Sequence, residues 1–308
     1  MGQSTKVEKE TEAAKPRGNS IPIILLLIGT LGAAYLAGNH QGTGPTVDLA
    51  SGLLLVVTGM AAGVLGGLIG TGGCSVMLPA IHFWMGYPAA IAVGTTLFAV
   101  IFTAISGGYG HFVRRNLDTR ATLWLGGVGI AGVVFGSWIF TMLSTHVDVL
   151  SLILGAAFLL PAARMVYEGL NRTGKPQKKG SAIPGSPLAW GAFGFAIGIL
   201  TGLVGLGGGY GLVPGLIYLF GAPVYITMGS SLAVMIPLSI AGGVIKLTQG
   251  FVAVKAALLL ASGTIVGAQI GAAIIKRFKP STLKLVFGLY FLYVSAKFIT
   301  SYFGIAIW

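Results

Sequence analysis

The chain has 308 residues, of which 55% are hydrophobic and only 8% charged, against roughly a quarter charged in an ordinary soluble domain. Its formal charge of +12 reflects 19 Lys and Arg against 7 Asp and Glu. These basic residues cluster in short segments between apolar runs, the pattern of a positive-inside membrane protein rather than a nucleic-acid surface. A single cysteine, Cys74, excludes an internal disulfide and any multi-cysteine metal or iron–sulfur centre.

Residues 1–20 form a basic tail in which Lys6, Lys9, Lys15 and Arg17 alternate with Glu8, Glu10 and Glu12. The following run, Ile21–Ala37, is long for the core of a cleaved leader, so residues 21–38 are expected to be a retained transmembrane helix. A second apolar stretch starts after Asp48 and runs into "GLIGTGGCSVMLPAIHF", Gly67–Phe83. Glycine costs about 1 kcal/mol per interior helix position relative to alanine, so this segment breaks near Gly70–Gly73. Further runs at Val93–Gly108, Leu123–Leu143 and, with its flanks, Val149–Ala163 approach or reach the ~17–25 residues that span a bilayer. They complete a first unit, residues 49–168. A linker follows at 169–187, where Arg172, Lys175, Lys178 and Lys179 have no acidic neighbour, which places it in the cytoplasm.

The second unit, residues 188–303, repeats the first at an offset of 135. Gly70, Gly72 and Gly73 map onto Gly205, Gly207 and Gly208 within "GLVGLGGGYGLVPGLIY", and Pro79 maps onto Pro214. "GTTL" at Gly94–Leu97 becomes "GSSL" at Gly229–Leu232, and eleven of the sixteen glycines between Gly63 and Gly136 land on glycine. Its apolar runs are Pro223–Ile245, Ala256–Ile275 and Leu283–Phe303. Equivalent loops carry opposite charge. Arg114, Arg115 and Arg120 mark one connection as cytoplasmic, and its counterpart near Thr248–Val254 has no Lys or Arg within it. Ser144–Asp148 is uncharged by bases, whereas Lys276–Lys284 carries Lys276, Arg277, Lys279 and Lys284. The expected fold is therefore an all-α polytopic membrane protein of two inverted-topology repeats plus an extra N-terminal helix. Its N-terminus is cytoplasmic and its C-terminus external, in the inner (cytoplasmic) membrane.

With Asp48 and the segment near Tyr87 on one side, residues 49–86 leave and return, as a re-entrant hairpin or as paired helices joined at Gly70–Gly73. Broken helices from two inverted halves are the sequence pointer to a transporter's substrate site. A helix starting after such a break offers unpaired N–H groups and a positive dipole end to an anion. The candidate substrate-binding residues are Gly70, Gly72, Gly73, Cys74, Thr95 and Thr96 from the first unit. Gly205, Gly207, Gly208, Gly209, Ser230 and Ser231 come from the second, with His111 and Lys246, which are equivalent by the offset. His82 lies within the broken stretch, and Arg164 and Lys297 read as helix-end anchors. Asp48, Asp118, Asp148 and Glu168 all fall at segment ends, which suits an anion rather than a cation. Small anions and the lipid bilayer are the expected partners, with a homodimer left open. No nucleic acid, metal, cofactor or catalytic residue is expected.

"GLIGTGGCSVMLP" and "GLVGLGGGYGLVP", each followed by Gly-Thr/Ser-Thr/Ser-Leu, resemble the duplicated signature of the TauE/SafE family of sulfite exporters over Leu49–Thr300. Cys74 departs from it, since its counterpart Gly209 is the more typical residue. The resemblance implies export of sulfite, sulfoacetate or related organosulfonates. The rival readings are a cation transporter, an intramembrane sulfur-transfer enzyme using Cys74, and a membrane scaffold without flux.

Overall fold

In hydrocarbon every backbone N–H and C=O must be satisfied within the protein, so apolar runs of this length become helices. The computed structural model describes residues 20–37, 44–114, 116–171, 180, 182–274 and 280–303. Residues 1–19, Arg115, Arg172–Lys179, Lys276, Arg277 and Lys279 lie outside these, and with them most of the basic-loop expectations.

The helices are α1 (Ile21–Leu36), α2 (Leu49–Ile69), α3 (Cys74–Pro79), α4 (Ala89–Val113), α5 (Thr119–Leu143) and α6 (Val147–Asn171). In the second half follow α7 (Pro187–Val204), α8 (Gly209–Tyr218), α9 (Val224–Thr248), α10 (Val254–Ile274) and α11 (Pro280–Tyr302). Among the described residues there is no strand. Six of these helices, α2, α4, α5, α7, α9 and α10, are long and apolar enough to cross a membrane. The expected first helix is present, but its 16 residues reach only about 24 Å.

Polar caps set the starts. Asp48 Oδ1 accepts from Ser51 Oγ at 2.5 Å and from Ser51 N at 2.8 Å, bonds that hold the exposed carboxyl below its usual range, while Ser51 Oγ accepts in turn from Asp48 N at 3.0 Å. Asp118 caps α5 through Ala121 N (3.1 Å), and Ser186 caps α7 through Ala189 N (3.3 Å). Pro79 lacks an N–H, and after it the first half continues as one π-helical turn, Ala80–Trp84. The equivalent Pro214 stays inside an unbroken α8.

Glycine ladders join the halves. A Cβ on Gly63 would lie 2.6 Å from Thr264 O, and one on Gly67 would lie 2.5 Å from Ala268 O, so α2 and α10 run parallel with their backbones in contact. Gly263, Gly267 and Gly271 return the contact onto Val56, Met60 and Val64. The pair α5 and α7 repeats this, with Gly132 and Gly136 against Phe195 and Ile199, and Gly194, Gly198 and Gly202 against Leu125, Gly129 and Val133. These two interfaces exchange under the offset of 135, since α2 corresponds to α7 and α10 to α5.

The remaining long helices pair with their own counterparts. Gly107 meets Leu232 while Gly242 meets Leu97, so α4 and α9 lie antiparallel. Gly155 meets Ile299 and Gly288 meets Val166, which makes α6 and α11 antiparallel as well. The centre of the molecule lies on the α4–α9 contact, where Leu97, Val100, Met235 and Leu238 are fully buried.

Candidate functional site

Both apolar segments break in the same backbone conformation. Gly70, Gly72 and Gly73 have φ of 80°, 73° and 74°, and Gly205, Gly207 and Gly208 have 73°, 65° and 81°. In this left-handed region a Cβ costs roughly 1–2 kcal/mol per residue, which is why both breaks are written in glycine. After each break the helical ladder resumes late. Val76 N and Met77 N donate to Gly73 O at 3.0 and 3.1 Å, and Gly211 N and Leu212 N donate to Gly208 O at 3.0 and 2.8 Å. The amides just ahead, those of Gly73, Cys74 and Ser75 and of Gly208, Gly209 and Tyr210, find no acceptor among the described residues.

The two breaks meet each other. A Cβ on Gly209 would lie 2.6 Å from Thr71 Cα, and Cys74 Sγ lies against Leu206 O and 3.4 Å from Thr71 O. Thr71 and Leu206, like Cys74 and Gly209, are equivalent by the offset, so the contact is two-fold in character. One methionine fills the point of closure. Met235 Cε faces both Gly72 and Gly207, and its Sδ would be 2.7 Å from a Cβ on Gly209. Its equivalent, Val100, touches the same two glycines from α4.

The four hydroxyls all hold partners in the protein. Thr95 Oγ1 accepts from Ala253 N and Ser230 Oγ accepts from Asp118 N, both at 3.0 Å. This equivalent pair ties the starts of α10 and α5 to the broken region's neighbours. Thr96 Oγ1 donates to Ala92 O in its own helix at 2.7 Å. Ser231 Oγ alone reaches a break, donating to Gly70 O at 3.0 Å.

His111 and Lys246 flank the centre at opposite ends. The His111 Cβ packs at Gly229, beside Met228, whose Cα faces Gly70. Lys246 O accepts from Phe251 N, Phe251 packs on Gly94, and the adjacent Val93 faces Gly205. Each break thus has one basic side chain at its level. Both are buried, and neither ring nitrogen of His111 nor Lys246 Nζ has a hydrogen-bond partner among the described residues.

Every described acid serves an element end. Asp48 and Asp118 are caps, Asp118 also accepts from Ile183 N at 2.7 Å, Asp148 lies in the first turn of α6, and Glu168 bonds Arg164 at 3.2 Å. Arg164 and Lys297 also fasten the broken helices. Arg164 stacks 3.3 Å over the Tyr218 ring at the end of α8, and Lys297 lies 4.7 Å from the Phe83 ring centroid at the end of the π turn. Phe83 and Tyr218 are equivalent, so each broken helix docks on the last helix of the other half. His82 stacks on Phe298 in the same contact and bonds Tyr87 O at 2.7 Å.

Tyr210 belongs with the site but carries no sequence signal, because its equivalent is Ser75. It stands in the first turn of α8, buried, with a phenol oxygen that has no partner.

A family model described as Sulfite exporter TauE/SafE matches residues 54–298. The chain is 27% identical over 220 residues to the probable membrane transporter protein YdhB of Bacillus subtilis, covering 71% of this chain and 89% of that one. It is 26% identical to YunE of the same organism, likewise described as a probable membrane transporter, over 80% of this chain and 97% of that one. A probable membrane transporter protein of Methanocaldococcus jannaschii is 27% identical over 76% of this chain and 90% of its own length. No solved structure matches.

Proposed function

The chain belongs to the sulfite exporter TauE/SafE family of membrane transporters, and we propose that it exports a small sulfur oxyanion, sulfite or an organosulfonate such as sulfoacetate. The substrate sits between the two repeats and reaches each side by alternating access. One observation carries this reading: two glycine breaks of identical left-handed backbone meet at the centre, with their leading amides lacking acceptors. N–H groups without acceptors beside Cβ-free glycines suit the close approach of an oxyanion. His111 and Lys246 add buried nitrogen groups without partners among the described residues at either end, while the described acids are occupied at helix ends. Antiparallel packing of α4 on α9 and of α6 on α11 supports an inverted repeat, with residues 49–168 and 188–303 as the two units.

In this reading the tail and the linker 169–187 face the cytoplasm, Trp308 faces outward, and the protein sits in the inner membrane. A potential negative inside then drives a monoanion outward by roughly 2.3 kcal/mol per 100 mV. Cys74 acts as a packing residue, its sulfur held between Leu206 O and Thr71 O. The test is efflux from proteoliposomes loaded in turn with sulfite, sulfoacetate, a carboxylate and a divalent cation. Selective sulfite or sulfonate flux is expected. Flux of the cation, or none of any solute, would reject the proposal.

A further inference from the structure

Lys246 poses a problem of charge balance. It is fully buried on α9, and its ammonium contacts the Phe140 ring at 3.2 Å but has no hydrogen-bond partner. The ring favours a cation from one side, yet in this buried setting the protonated amine costs several kcal/mol until an anion joins it. Among the described residues no carboxylate pairs with it; Glu168 pairs with Arg164, and Asp48, Asp118 and Asp148 lie at helix starts.

Packing of α5 on α9 shows what surrounds it. A Cβ on Gly126 would be 3.0 Å from Pro237, one on Gly129 would be 2.7 Å from Leu238, and one on Gly242 would be 3.2 Å from Val133. Further along, Gln249 Nε2 donates to Thr141 Oγ1 at 2.9 Å. The two helices thus advance in parallel, about four residues at a time. Lys246, one turn past Gly242, falls opposite Ser137, one turn past Val133. Ser137 Oγ is fully buried and unpartnered, and one turn on from Lys246 the buried Gln249 Oε1 is unpartnered too. Ser137 and Phe140 share a face of α5 at i, i+3, the face on which the Phe140 ring meets the ammonium.

We infer that Lys246 and Ser137 form a second anion station, apart from the meeting point of the two breaks, that holds a small monovalent anion as the missing counter-ion of Lys246. The ammonium and the Ser137 hydroxyl are its two donors, and Phe140 orients the ammonium from behind. The station lies level with Gly205, on one side of the centre, so an anion there would be one step from the central site. The role in transport rests on the anion-export reading, but occupancy of the station does not.

Chloride serves as the probe, read by line broadening of the chloride NMR signal with full-length protein in detergent. Wild type should broaden the signal, sulfite should compete it away, and Lys246→Met should reduce the excess broadening at least tenfold. Methionine keeps the length and the Phe140 contact, and melting temperature in chloride-free buffer checks that the variant is folded. Ser137→Ala should weaken chloride severalfold and serves as the second variant should Lys246→Met fail to fold. Absence of broadening in wild type, or equal broadening in folded Lys246→Met, would overturn the station. Chloride binding without sulfonate or sulfite flux would keep the station and reject the export reading instead.

Discussion

Glycine does two different jobs in the two regions that hold this molecule together. Along α2–α10 and α5–α7 it lets parallel helices touch backbone to backbone, in ordinary helical geometry. At Gly70–Gly73 and Gly205–Gly208 it permits a left-handed backbone and brings two chain breaks into contact. A ladder glycine is irreplaceable because of what lies opposite it; a break glycine is held by its own φ, and Gly70, Gly73 and Gly205 also by backbone of Met228, Ala62 and Val93 opposite them. Ladder substitutions should therefore damage the fold, and break substitutions should damage the site.

The largest effect is expected in a ladder. Gly198→Val places branched carbon against the Gly129 carbonyl and Val133 N, and inserting bulk into such a contact costs roughly 1–3 kcal/mol or more. The variant should lose monodisperse folded protein in detergent. Wild-type yield and melting temperature would show that the ladder tolerates bulk and that the distinction is false. Next come the breaks. Gly72→Ala presses on the flexible end of Met235, which can move, and Gly207→Ala on Met235 and on Val100 Cγ1 at 2.9 Å, with a backbone strain of about 1–2 kcal/mol at positive φ in each. These variants should fold, with the strain read as lost stability, yet lose roughly tenfold in substrate affinity, about 1.4 kcal/mol, because the added Cβ obstructs the anion's approach to the break.

Smaller effects sharpen the boundary between the regions. Ser231→Ala removes the one hydroxyl bond made to a break, to Gly70 O, worth about 0.5–1.5 kcal/mol, so flux should fall a few-fold. Thr96→Val removes only a bond within its own helix and should transport like wild type. Equal losses in both would show that the hydroxyls act as a pair at the substrate. Smallest of all is Cys74→Ala, whose flux should match wild type. A dead Cys74→Ala protein that still folds would revive a chemical role for the thiol.

Much of this was legible in the sequence. The offset of 135 located both breaks, and their edges fall where the glycines end α2 at Ile69 and α7 at Val204. The equivalence of His111 and Lys246 was legible too. What the sequence could not distinguish was which hydroxyls cap a neighbouring helix. Thr95 and Ser230 bond Ala253 N and Asp118 N, partners 158 and 112 residues away. Tyr210 was invisible for a related reason, because its unpartnered phenol is a property of its surroundings rather than of a repeated letter. The charge of the loops gives a direct check on the inverted arrangement. On a Cys74→Ala background, Thr248→Cys should react with an impermeant thiol reagent from outside and Arg114→Cys should not, although the two occupy nearly equivalent positions. Labelling of both, or of Arg114→Cys alone, would contradict it.

The central claim is that both breaks grip one anion, and sulfite binding to purified folded protein tests it most directly. Titration calorimetry on wild type, Gly72→Ala, Gly207→Ala and a ladder control, Gly132→Ala, compares variants after each has been normalised to its folded fraction. The account predicts that sulfite binds wild type and the folded fraction of Gly132→Ala alike, and binds both break variants about tenfold more weakly. Wild-type affinity in either Gly72→Ala or Gly207→Ala would contradict it.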